Sequence, residues 1–220
     1  MAQSLKLVKH VGVKGLIVCK TGTRIGGTES GIGIGSAENP VIKDARGIPF
    51  IPGSSLKGKM RSMLEYKYKR VGENGSPCGC GQNLATCPVC TIFGPHKNTR
   101  HELGPTRIIV RDAFLSEKSQ KDWKTASDEG KEFTETRKQT SIDRRTGTAL
   151  RGSLRELENV PAGTEFELNV SVRIFEGDDE KRIKEIIQEG VSLINKDYLG
   201  GSGTRGYGWV EIKDIEVTDC

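Results

Sequence analysis

Apolar and polar residues alternate from Leu5 to Lys20. Leu5, Leu7, Val11 and Val13 keep a loose two-residue period before Leu16, Ile17 and Val18 close the run, which predicts a long strand. Thr164 to Phe175 (TEFELNVSVRIF) alternates more strictly and predicts the clearest strand, with further strands at Thr106–Val110 and Trp209–Val217. Two segments switch to the helical period. Beyond Pro49, Pro52 and Gly53, the residues Leu56, Met60, Met63 and Leu64 share one face of a helix that Ser54 or Ser55 can cap. Asp178 to Leu199 sets Ile183, Ile186, Ile187, Val191 and Ile194 on a second apolar face. The order strand, helix, strand, strand, helix, strand predicts an α+β fold of the ferredoxin-like (RRM-like) split βαβ kind.

Four stretches interrupt this pattern. Thr21 to Pro40 is a glycine-dense loop, Val71 to His101 is rich in Gly, Cys and Pro, Ser116 to Arg155 is polar and weakly patterned, and LGGSGTRGYG is a second glycine loop. The chain therefore divides into a core of 5–70, 105–115 and 161–218, with insertions at 71–104 and 116–160, in one domain spanning 1–220. No internal repeat is present.

Composition narrows the classes. With 34% hydrophobic and 29% charged residues and no long apolar run, a membrane span is excluded. The opening MAQSLKLVKH lacks an apolar signal core, so a cytoplasmic protein is expected. The net charge of +5 would mean little if spread evenly, but Ser54–Arg70 holds Lys57, Lys59, Arg61, Lys67, Lys69 and Arg70 against Glu65 alone. Such a concentration is the footprint expected of a polyanion-binding face.

Cys78, Cys80, Cys87 and Cys90 form C-x-C-x6-C-x2-C within one short loop. In a cytosolic chain, thiolates this close point to a structural zinc, four sulfurs leaving no open position for water; free thiols in a loop are the plainer alternative. His96 and His101 stand near enough to replace one cysteine. A zinc deaminase is excluded, because Thr86 precedes Cys87 and His101-Glu102 lacks the spacer of that signature. The run from Gly53 to Met60, GSSLKGKM, nearly spells a nucleotide-binding P-loop, but Met60 cannot hold magnesium. What remains is a helix start able to hold a phosphate through N–H groups, dipole and lysines. Lysines on a solvated helix face are the plainer reading there. Arg24 in the first glycine loop, and Gly203, Thr204 and Arg205 in the second, add backbone that can approach a sugar-phosphate chain. Aromatic residues are 5% of the chain and no RNP-like pattern occurs, so backbone contacts should dominate over base stacking.

Read in order, TGTRIGG, GSAENPVIKD, GIPFIPGSSLKGKMRSMLE, CPVCTIFG, PTRIIVRDAFLSE, the ETRKQTSIDRRTGTA region and DYLGGSGTRGYG resemble the backbone subunit of type III-A CRISPR (Csm) effector complexes, within the RAMP superfamily. The resemblance runs from about Leu5 to Val217. It implies a ferredoxin-like palm in a single RAMP domain, with a β-hairpin thumb at roughly Thr134 to Val160, beside the zinc-containing insertion that the cysteine spacing predicts. It also implies several copies stacked along a CRISPR guide RNA, with complementary target RNA cut at regular intervals where each thumb displaces a base. Other implied partners are the remaining subunits of the complex, including the large Cas10-type and the small subunit. Cutting in the family is metal-dependent, with Mg2+ or another divalent ion, and uses an aspartate ahead of P-V-[IV]-[RK]-D. Ungapped alignment of Pro40–Asp44 puts Glu38 at that position, one methylene longer; Asp44 matches another motif position, expected to be structural. The expected RNA contacts are Arg24, Ser54, Ser55, Lys57, Lys59, Arg61, Gly203, Thr204 and Arg205. A non-cleaving scaffold of the same complex, and a guide-independent zinc-containing RNA-binding regulator, are the competing expectations.

Overall fold

The computed structural model describes residues 5–26 and 40–219. Glu38 and most of the first glycine loop lie outside them. The elements are β1 (Leu7–Cys19), α1 (Gly53–Lys67), α2 (Pro88–Phe93), β2 (Ile108–Val110), α3 (Glu117–Asp128), β3 (Glu135–Gln139), β4 (Arg155–Asn159), β5 (Glu165–Phe175), α4 (Glu180–Asn195) and β6 (Val210–Asp219). Helices are thus mixed with two antiparallel sheets: four strands in the order β2-β5-β1-β6, and the pair β3-β4.

Alternation decides which face of the large sheet is buried. Val11, Val13, Ile17 and Cys19 of β1 lie beside Phe166, Leu168, Val170, Val172 and Ile174 of β5, with Val11 opposite Val172 and Ile17 opposite Phe166. Leu56, Met60 and Leu64 of α1 and the five predicted apolar positions of α4 pack into this core, with Val89, Ile92 and Phe93 of α2 in the same cluster. Gly190 lets the two helices approach closely, since a Cβ there would overlap Met60.

Three features differ from the sequence reading. Neither Ser54 nor Ser55 caps α1: the N-cap is Pro52 without a side-chain bond, and the Gly53 N–H instead donates to Asp112 Oδ1 at 2.8 Å. Asp112 is 59 positions away, so no local motif announces it. The 116–160 segment also holds real elements. α3 is capped by Ser116, whose Oγ accepts from the Ser119 N–H; the β3–β4 hairpin beyond it lies inside the 134–160 stretch where a hairpin is expected. Within 71–104, α2 is short and buried at all six positions, so it shows no amphipathic period.

Candidate nucleic-acid interface and metal centre

The two glycine loops, far apart in sequence, meet in space. Gly201 N–H donates to Arg24 O at 2.9 Å and Gly208 N–H to Gly22 O at 3.0 Å, while Leu199 N–H donates to Gly208 O at 2.8 Å and closes the second loop on itself. Gly200 has φ +86 and a Cβ on it would overlap the Arg24 carbonyl, so both the conformation and the close approach require glycine. Gly203–Arg205 forms a single 3-10 turn whose Thr204 and Arg205 are exposed.

The hairpin root docks onto the same place. Arg205 Nη1 donates to Gln139 Oε1 at 3.0 Å, Gln139 Nε2 donates to Tyr207 Oη at 2.9 Å, and the Arg137 guanidinium lies 5.6 Å from the Tyr207 ring centroid. On β4, buried Glu158 accepts from the Val41 N–H at 2.8 Å, from Thr134 Oγ1 at 2.5 Å and from Lys43 Nζ. Burial pushes the Glu158 carboxyl up, but these partners, Lys43 above all, outweigh it and hold its pKa below the usual value. Ile42 N–H donates to Ile25 O at 3.1 Å, and Gly26 pairs with Val41, so the chain on either side of 27–39 is bound together. Asp44 turns the segment after it, accepting from the N–H groups of Arg46 and Ile48 at 2.9 Å each, which is the structural part expected of it.

The cationic run on α1 resolves differently. Lys59 donates to Asp197 at 2.9 Å, Lys67 pairs with Glu189, and Arg61 Nε donates to Glu65 at 2.9 Å. Arg61 Nη2 also donates to the Cys78 carbonyl at 2.7 Å, so its guanidinium holds the cysteine loop rather than standing free. Lys57 has no carboxylate partner among the described residues; partial burial first, then Arg61 and Arg173, hold its ammonium below the usual pKa. Ser54 is exposed and Ser55 half-buried at the start of the helix. A denser set of exposed cations lies in the hairpin, at Arg144, Arg145, Arg151 and Arg155. A charge count over 135–155, six basic residues against two acidic, would have found it.

The four cysteines come together as their spacing predicts. Their Sγ atoms all lie within 4.8 Å of one another, with Cys78–Cys87 at 3.8 Å, Cys80–Cys90 at 3.6 Å and Cys78–Cys90 at 3.6 Å. A tetrahedral ion with metal–sulfur bonds of about 2.3 Å has sulfur–sulfur edges of about 3.8 Å, so the cluster fits a closed four-sulfur metal site. Among the described residues it is the one cluster of this kind. His96 is not in it; its backbone N–H donates to Cys78 O at 2.9 Å, and Cys78 N–H donates to Glu65 at 2.8 Å. Burial raises Cys87 to about 11 and raises Cys90 further. Cys80, also pushed up by burial, is held below its usual value by the Gln82 N–H and the neighbouring thiols.

Comparison with known proteins places these features. Residues 16–211 match the RAMP superfamily model. The chain is 41% identical to the CRISPR system Cms endoribonuclease Csm3 of Methanocaldococcus jannaschii, over 98% of this chain and 83% of that one. It is 36% identical to the protein of the same name from Streptococcus thermophilus, over 90% and 85%. Among solved structures, a Csm3–Csm4 subcomplex in the type III-A CRISPR–Cas interference complex matches with a TM-score of 0.59 at 33% identity, covering 98% of this chain and 81% of that one. A type III-B Cmr-beta complex bound to cognate target RNA shares the fold, with a TM-score of 0.61 at 17% identity over 95% and 61%. The chain belongs to the RAMP superfamily and, within it, to the Csm3 endoribonuclease family.

Proposed function

We propose that this chain is the guide-RNA-binding backbone subunit of a type III-A interference complex. It stacks in several copies along the guide, beside the other subunits of that complex, and cleaves complementary target RNA at regular intervals. The observation that carries this reading is the convergence of both glycine loops with the hairpin root, through Arg24–Gly201, Gly22–Gly208 and Arg205–Gln139. Such a surface joins close backbone approach to cationic side chains, which suits a sugar-phosphate chain. The strand order β2-β5-β1-β6, with α1 and α4 in one core, supports a ferredoxin-like palm in a single RAMP domain over 1–220. The insertions at 71–104 and 116–160 are then a zinc-binding module and a thumb.

Lys57, Ser54, Ser55, Arg24, Gly203, Thr204 and Arg205 are the proposed guide contacts, joined by the hairpin arginines. Cys78, Cys80, Cys87 and Cys90 would hold zinc, whose contribution is to cross-link the insertion. Glu38 carries the carboxylate proposed for cleavage, in a reaction for which the family's chemistry implies a divalent ion. The test compares reconstituted complexes containing native protein, Glu38→Ala or Glu38→Asp on a complementary target with magnesium. Regularly spaced cuts from native, none from Glu38→Ala and equal or faster cutting from Glu38→Asp are expected. Cutting by Glu38→Asp alone would make the natural chain a scaffold. Cutting by Glu38→Ala would remove the carboxylate from the chemistry.

A further inference from the structure

The second glycine loop has a support that the phosphate-binding reading of α1 leaves out. Lys59 Nζ lies 4.0 Å from the centroid of the Tyr198 ring and donates to Asp197 Oδ2 at 2.9 Å. Its side chain is only 16% exposed. The ring also meets Gly203, where a Cβ would overlap the ring carbons. Gly203 has no positive φ, so here the glycine is required by close approach, not by backbone conformation. A column therefore runs from α1 through the aromatic ring to the turn that carries Arg205: Lys59, Tyr198, Gly203.

We infer that Lys59 is a positioning residue, acting through Tyr198 to fix the Gly203–Arg205 turn, and not a ligand of RNA phosphate. A phosphate at Lys59 would have to displace a carboxylate and a ring from an ammonium that is mostly covered. Held by the column, the turn presents Arg205 with Nη2 on Ser202 Oγ at 2.6 Å and Nη1 on Gln139, at the hairpin root. What the turn is presented to rests on the guide-binding reading; the column itself does not.

The test uses the full-length chain and two readouts. One is hydrogen exchange of the amides of 200–208, with those of α1 and α4 as internal reference. The other is affinity for a labelled single-stranded RNA across a salt series. Lys59→Met and Tyr198→Leu should each speed loop exchange by roughly fivefold to thirtyfold, the range of a desolvated cation–π pair. The double variant should be no faster than either single, Gly203→Ala should behave like them, and Lys59→Arg and Tyr198→Phe should stay near native. The logarithmic salt slope should be unchanged throughout. A slope reduced by about 0.7 in Lys59→Met with loop exchange untouched would make Lys59 a phosphate ligand and overturn the inference. Additive effects of the two singles, or equal loosening of α1 and α4, would overturn it as well. If native protein binds no RNA at any salt, the guide-binding reading fails while the exchange data still decide the column.

Discussion

Two excursions leave the same sheet-and-helix core and are fixed to it by opposite means. The cysteine segment, 71–104, is tied down at its root and within. Arg61 and Glu65 grip Cys78 at its entry, and α2 is buried throughout. Arg107, just beyond the exit, forms a two-point pair with Asp178 at 3.0 and 2.9 Å, both nearly buried. Its charges balance, with Lys97 and Arg100 against Glu73 and Glu102. The hairpin is anchored along its paired root, β3–β4, through Leu157, Glu158, Asn159 and Val160 and through the bonds of Gln139 to Arg205 and Tyr207. Beyond that root it is cationic, and Ile142, Leu150 and Leu154 face water. The charge-balanced excursion with a buried helix finds its partners in its own chain. A solvated cationic one with exposed aliphatics is shaped for a polyanion outside it.

The largest effect that could break this contrast is on the cysteine side. Cys87→Ser with Cys90→Ser should remove the bound metal, taking zinc content from about one per chain to about none, and open 71–104 to proteolysis while the core stays folded. Metal analysis under reducing conditions and mapping of the cut sites check it. Equal proteolysis of native and variant protein would mean that the buried α2 and the Arg61–Glu65 grip suffice without metal.

Next comes the hairpin. Arg144→Ala, Arg145→Ala and Arg151→Ala together should leave the melting temperature nearly unchanged but weaken RNA binding. The logarithmic salt slope should fall by about 0.7 for each phosphate that is no longer neutralised. Filter binding across a salt series reads this. An unchanged slope would put these cations outside the interface and leave the contrast without its functional side.

A smaller effect lies at the hairpin root, in Glu158. Its folded pKa is depressed, so it contributes stability that is present above the unfolded value of about 4.5 and is lost as pH falls through the lower folded value. Glu158→Gln should therefore melt earlier than native protein at neutral pH, and the two curves should converge in acid below about pH 4. A constant gap across that range would assign the effect to packing rather than charge.

How much of this was legible beforehand depends on whether the partner is near in sequence. The strands β1 and β5, the helix α4 and the four-cysteine cluster announce themselves by local period or spacing, and all are present. The cationic run of 54–70 shows what a local count leaves out. A count along the chain cannot see that Asp197 and Glu189 arrive from other elements to pair with Lys59 and Lys67. The meeting of Arg24 with Gly201 is equally non-local. α3 carries no clear apolar signal because its residues are mostly polar, and full burial of α2 erases an amphipathic period.

The smallest expected effect belongs to Asp112, on the stretch of chain between the two excursions. Its carboxylate accepts from the first N–H of α1, and Ser55 and Leu56 N–H groups both donate to Pro52 O, at 2.9 and 3.2 Å. The helix start is thus already largely satisfied, by a negative charge placed where the dipole favours one. If this is a cap and nothing more, Asp112→Ala should lower stability by about 1 kcal/mol, the usual worth of such a bond, read as a shift of the denaturant midpoint. RNA affinity at fixed salt should stay the same. If a guide phosphate instead competes for the Gly53 N–H, removing the carboxylate takes away both a rival acceptor and a repelling charge, and RNA affinity should rise as stability falls. That second outcome would extend the interface from the glycine loops and hairpin onto the start of α1, and the division between a self-satisfied side and an RNA-facing side would have to be drawn elsewhere.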